Sequence, residues 1–403
     1  MRVIIPKATS EQLSLFGEAP TAPMPKTLKE FEALFESGKD ELESELAEGY
    51  KAYSYKSQSM TLKDPSSKYK VGSALQKAVR RGHTLNAEGF AQAIHNSEEQ
   101  DYVWHRLGVI AYEDVGIANL KAVAITAHCC RYKRVRDQYN TEKLVSYLAK
   151  ILSEGNKSRL LTEITCLLHD TKTAINPETK LSDLTDLERI CGGIRNTFNW
   201  YAPQPPINKI KELTEDLYSK KEAYALALRY LENIPPSLHP YYKYAFLAGN
   251  KISAERLNTA MPYVASLMKP SDLLKPKIIL RDTSKYSMVA NLPDYAWDNH
   301  VREGGVAYRK FMSIMRNKVE WPLTLAALQN ALFLTNASVV DKELEFSINS
   351  APYKNTQEIK IASFKDYMEA KGVPPEEFQS FIDMLESPEN QALLLKCKQN
   401  SAT

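Results

Sequence analysis

"SALQKAVRRG", residues 73–82, decides the fold. With Val71 just upstream, Ala74, Leu75, Ala78 and Val79 form one apolar face at the spacing of an α-helix, and Arg81-Gly82 ends it. The same period recurs downstream. Val103, Leu107, Ile110 and Ala111 form a second face, and Val123, Ala124, Ala127 and Cys130 a third. Leu144, Val145, Leu148, Ile151 and Leu152 form a fourth, and Leu160, Leu161, Ile164, Leu167 and Leu168 a fifth. Short connections between such helices favour antiparallel neighbours. The pattern predicts a mainly α protein with minor β.

The flanks define the remaining organisation. Residues 1–26 carry Pro6, Pro20, Pro23 and Pro25 and little periodicity, so a flexible tail is expected there. Residues 27–64 read as an N-terminal helical segment. Thr27 is placed to cap it with Glu30 as capping-box partner, ahead of Leu28, Phe31, Leu34 and Phe35. A main helical domain spans 65–202, and the composition shift at Ala202-Pro203-Gln204-Pro205-Pro206 marks a boundary. The C-terminal region, 203–403, reads as mostly helical. It has a helix to about residue 232 that breaks at Ile234-Pro235-Pro236, helical pattern over 240–269 and a short strand at Ile278-Ile279-Leu280. A helix near 321–334, an ambiguous stretch over 337–361 that allows a hairpin, and a last helix through Phe378, Phe381, Ile382 and Leu385 follow.

Bulk properties narrow the function classes. The net charge of +3 over 403 residues argues against a general polyanion binder, so any nucleic-acid contact must come from a local patch. Cys129, Cys130, Cys166, Cys191 and Cys397 form no CxxC pair, which points to reduced, buried thiols in a cytoplasmic protein. No window has the roughly 18 apolar residues of a membrane span, and MRVIIPKATS has too short an apolar run for a signal peptide.

Chemistry-bearing motifs are sparse. Ser37-Gly38-Lys39-Asp40 and Gly155-Asn156-Lys157-Ser158 approach a phosphate loop but lack its upstream glycine. His128 beside Cys129 and Cys130 suggests a metal cluster, yet helical neighbours point about 100° apart, so core packing is favoured and no metal or cofactor is expected. His169-Asp170 would make a base dyad only with a nucleophile from elsewhere. Glu113-Asp114 are adjacent carboxylates, and a cap or an arginine partner explains them better than catalysis. Arg131-Tyr132-Lys133-Arg134-Val135-Arg136 is the most basic run. Its cations, Arg131, Lys133, Arg134 and Arg136, suit a phosphate backbone and Tyr132 a stacked base. Lys77, Arg80 and Arg81 add a second basic spot.

The segments 73–82 and 101–127, "DYVWHRLGVIAYEDVGIANLKAVAITA", together resemble the helical region that follows the ATPase module in the RarA/MgsA family of clamp-loader-like AAA+ replication proteins. Ser73, Ala74, Leu75, Lys77, Val79, Arg80, Arg106, Ile110, Ala111, Glu113, Asp114, Val115, Gly116 and Ala118 carry it. "LPDYAWDNHVREGG", 292–305, resembles a carboxy-terminal piece of some members less specifically. The resemblance implies a clamp-loader-collar-like helical domain that assembles, commonly as a homo-tetramer. The roughly 65 residues before it are too few for a nucleotide-binding module, so ATP hydrolysis is not implied.

Gln12-Leu13-Ser14-Leu15-Phe16 resembles the pentapeptide by which bacterial replication proteins dock on the β sliding clamp. Gln12 can bond at a pocket rim, Leu15 and Phe16 can fill an apolar cleft, and Leu13 can cover its edge. The competing expectation is that Leu13, Leu15 and Phe16 fold back onto the protein's own core. Together these features point to a non-enzymatic DNA-replication accessory protein, of a kind that suits a phage or mobile element. Its expected partners are the clamp, replisome proteins and DNA. The rivals are a DNA-binding protein using 131–136 and an enzyme with a dispersed site around Glu113, His169 or Asp170.

Overall fold

The first described helix begins just past Pro25. The computed structural model describes residues 24–57, 67–163, 165, 220–252, 257–346, 364–365, 368–369 and 371–402. Thr27 caps α1 (Leu28–Glu36): its Oγ1 accepts from the Glu30 amide at 3.3 Å, and Glu30 Oε2 accepts from the Thr27 amide at 3.1 Å. This is the capping box that the sequence predicts. Phe31 and Phe35 on its inner face are buried.

Helices α2 (Lys39–Ala52), α3 (Ser67–Arg80), α4 (Thr84–His95), α5 (Gln100–Ile110), α6 (Leu120–Arg131) and α7 (Thr141–Glu154) follow. Helix α4 packs between α3 and α7. On α3 the predicted face, Val71, Ala74, Leu75, Ala78 and Val79, is buried throughout. Helix α4 was not expected as an element. Its residues from Ala87 to Ile94 are all buried, polar Glu88 and Gln92 included, so the sequence lacks the two-sided pattern that reveals a surface helix.

Past the undescribed stretch come α8 (Lys220–Arg229), α9 (His239–Ile252), α10 (Met261–Leu267) and α11 (Pro270–Leu274). Helix α9 lies against α6 and α1. The expected division at residue 203 lies outside the described residues, and the helices on either side share one hydrophobic core. Phe35, for example, meets Tyr224 edge-on with ring centres 4.8 Å apart.

The predicted strand is β1 (Lys277–Leu280). It pairs antiparallel with β4 (Lys342–Glu345), Lys277 opposite Glu345 and Leu280 opposite Lys342. Lys157 bridges to Glu343 on β4 in parallel. Between them, β2 (Met288–Val289) and β3 (Leu292–Pro293) form a small hairpin. Its turn residues, Ala290 and Asn291, both have positive φ, 46° and 68°.

A second, smaller core forms between α12 (Arg302–Met315), α13 (Leu325–Leu332), α14 (Phe378–Glu386) and α15 (Pro388–Gln399). Phe311, Met315, Leu328, Leu332, Phe381 and Leu385 fill it. No helix among the described residues is long and apolar enough to cross a membrane. Residues 12–16, Cys166, His169, Asp170 and Cys191 lie outside the described residues.

Candidate functional site at a buried charge seam

Helix α5 does not end at Ile110 but loosens into a π-helical turn, Ala111–Val115, which carries Glu113 and Asp114. Gly116 ends it at φ 52°, where a Cβ atom would also sit 2.8 Å from the Ser158 carbonyl oxygen. Only glycine tolerates both the backbone angle and the approach. The turn drives Asp114 fully into the interior.

Asp114 accepts from Arg80 Nε, from Arg159 Nη1 at 2.5 Å and from Gln76 Nε2 at 2.9 Å. Burial pushes its pKa up, but Arg80 and Arg159 outweigh burial and hold it below the usual carboxylate range. Arg80 donates from Nη1 to the Ala337 carbonyl at 2.7 Å. Phe333 packs under both guanidiniums, 5.7 Å from Arg80 and 5.3 Å from Arg159. Gln76 also donates to Glu113 and accepts from Arg106. Of the two explanations expected for the carboxylate pair, the arginine partner is the one realised.

One turn away, Lys77 Nζ lies 2.6 Å from Asp298 Oδ2 and 2.5 Å from Ser73 Oγ, with both charged side chains buried. Burial lowers the Lys77 pKa to about 8 even though Asp298 opposes the shift. Lys157 is equally enclosed, 2.6 Å from the Ser153 carbonyl, 2.9 Å from that of Gly155 and 2.8 Å from Asp341 Oδ1. The amino group of the phosphate-loop-like fragment is thus fully engaged within the fold. The second basic spot needs correction: Lys77 and Arg80 are buried and face carboxylates, so they form no outward basic surface.

The segment 292–305 lies directly on α3. Lys70 reaches Glu303 at 2.5 Å and sits 5.6 Å from the Trp297 ring. Arg81 stacks over Tyr295 at 5.1 Å, and His83 Nδ1 is 3.2 Å from the Tyr295 hydroxyl. A Cβ atom on Gly304 would fall 1.9 Å from the Asp298 carbonyl oxygen, so α12 starts this close to the Asp298 turn only because residue 304 is glycine. The three stretches singled out by resemblance, 73–82, 101–127 and 292–305, meet in one place.

No family model, curated protein or solved structure matches the chain.

Arg80, Arg159, Lys77 and Lys157 neutralise Asp114, Glu113, Asp298 and Asp341 almost within one connected seam. Charges paired in this way hold backbone segments in place. The seam joins the first core to the loops that lead into the second. Sequence reasoning missed Arg159, Asp298 and Asp341. Each is distant in sequence from its partner, and no local spacing marks it.

Two other expected features resolve separately. His128 is buried, with Nε2 3.1 Å from Glu43 Oε1 and Nδ1 2.5 Å from the Tyr244 hydroxyl. Burial pushes its pKa down to about 4 despite Glu43. Cys129 is buried and burial raises its thiol pKa, so these neighbours are core groups. Among the described residues no cluster of His, Cys, Asp and Glu could hold a metal. In the basic run, Arg131 and Arg134 lie over the Tyr132 ring at 4.8 and 5.1 Å, and Arg136 over Trp104 at 4.7 Å. Tyr132 also donates its hydroxyl to Glu36 at 3.2 Å. The ring expected to stack a base is engaged by its own neighbours.

Proposed function

We propose that the chain is a non-enzymatic replication accessory protein that docks on the bacterial β sliding clamp through Gln12, Leu13, Ser14, Leu15 and Phe16, and self-assembles through its helical body. The observation that carries this reading is the pentapeptide itself, in a proline-flanked tail ahead of the Thr27 cap. Two apolar side chains entering a cleft contribute roughly 3–6 kcal/mol before ordering costs, less than the about 8 kcal/mol of a micromolar complex, so Gln12, Leu13 and backbone contacts must supply the remainder. Support of a different kind comes from the body. Residues that resemble a clamp-loader collar form one interlocked seam, as expected if that resemblance reflects a common scaffold. Glu113, the described member of the alternative dispersed active site, is tied to Gln76 and Arg80.

The test is capture of purified clamp by the full chain. Replacing Leu15 and Phe16 together by alanine should abolish capture and leave the helical circular-dichroism signal unchanged. Undiminished capture by the double variant would reject the docking assignment. Light scattering on the same sample reads the assembly state, and ATP turnover by pure protein would contradict the non-enzymatic reading.

A further inference from the structure

The cations of residues 131–136 differ from those of the seam. Lys77, Arg80, Lys157 and Arg159 each have a carboxylate partner. Among the described residues no carboxylate forms an ion pair with Arg131, Lys133, Arg134 or Arg136. Three of the four are instead racked on aromatic rings, Arg131 and Arg134 on Tyr132 and Arg136 on Trp104. Both rings are fixed. Trp104 is buried in the core and Tyr132 is anchored through its hydroxyl to Glu36. A guanidinium held against a ring face keeps its N–H edge directed outward and loses little freedom when it grips an oxyanion. Arg131 Nε and Nη1 are themselves buried without a hydrogen-bond partner, so outward contact at this turn falls to the exposed Lys133 and Arg134. Of the neighbouring carboxylates, Glu36 accepts from Tyr132 and Glu43 is shared by Lys39 and His128, while Asp137 is exposed. Positive charge therefore prevails at this turn.

We propose that the 131–136 turn binds the phosphodiester backbone of duplex DNA without reading its bases. Phosphate oxygens match the fork geometry of arginine, and sequence-independent backbone contact needs no ring face, which here is already covered. The site is independent of clamp docking through 12–16.

The experiment is fluorescence anisotropy of the full chain with a labelled random-sequence duplex across a salt series. The parent should bind with an affinity that falls steeply with salt. Lys133→Ala/Arg134→Ala, at two exposed positions, should weaken binding roughly tenfold and lower the log–log salt slope by about two. Arg134→Lys, which keeps the charge and loses the fork, should fall between them. Leu15→Ala/Phe16→Ala should bind like the parent, which separates this site from the clamp motif. An affinity and slope unchanged in the Lys133/Arg134 variant, or no salt-sensitive binding by the parent, overturns the proposal. So does tighter binding to a single strand with the same number of phosphates.

Discussion

Lys77 on α3 and Asp298 in the loop before α12 face each other at 2.6 Å, both nearly sealed from solvent. Removing one partner of such a pair leaves a bare charge in the interior, whereas removing both leaves none. Lys77→Met should cost about 3–5 kcal/mol, and Lys77→Met/Asp298→Leu should recover most of that loss. Urea denaturation of the three proteins measures the difference.

Gly304 gives a second test of the same contact. An added methyl group meets the Asp298 carbonyl oxygen, which belongs to rigid backbone. Gly304→Ala should destabilise by about 1–3 kcal/mol. It should also blunt the effect of Lys77→Met when the two are combined, because Asp298 will already have shifted.

His128 predicts an acid limb in stability. Its native pKa, about 4, lies below the ordinary value of 6.5, so between these values the unfolded chain holds the extra proton. Stability must then fall as pH drops from about 6.5 to about 4, by roughly 3 kcal/mol from this group. His83, His95, His105 and His300 are also depressed by burial and act in the same direction. The difference between the parent and His128→Gln across that range isolates the His128 share.

The β2–β3 turn holds Ala290 at φ 46°, a region an alanine side chain disfavours by about 1 kcal/mol. Ala290→Gly should stabilise the protein by about 0.5 kcal/mol, net of the extra freedom glycine gives the unfolded chain. Thermal denaturation reads it as a small rise in Tm.

What could be read from the sequence was what is local. The α3 face, the Thr27–Glu30 cap and the Ile278–Leu280 strand follow from spacing and capping chemistry within a few residues. Helix α4 escaped because burial on every side erases its periodicity. The partner of β1 escaped because β4 lies across some sixty intervening residues, and register between distant strands leaves no mark on either one. At the seam, Glu113 and Asp114 stood out as adjacent carboxylates, and an arginine partner was foreseeable. Which arginines would answer was not, since Arg80 and Arg159 come from different elements that only the fold brings together.

The two hydrophobic interiors are thus stitched by ions as well as by the apolar contacts of Leu395 and Ala402. Within such a plane, attraction is strong only while water stays out. Once a gap admits solvent, each charge is hydrated and its counterpart loses its grip, so one breach weakens every neighbouring stitch. Parting of the C-terminal portion from the larger body should therefore be abrupt, an unzipping with no half-open stage.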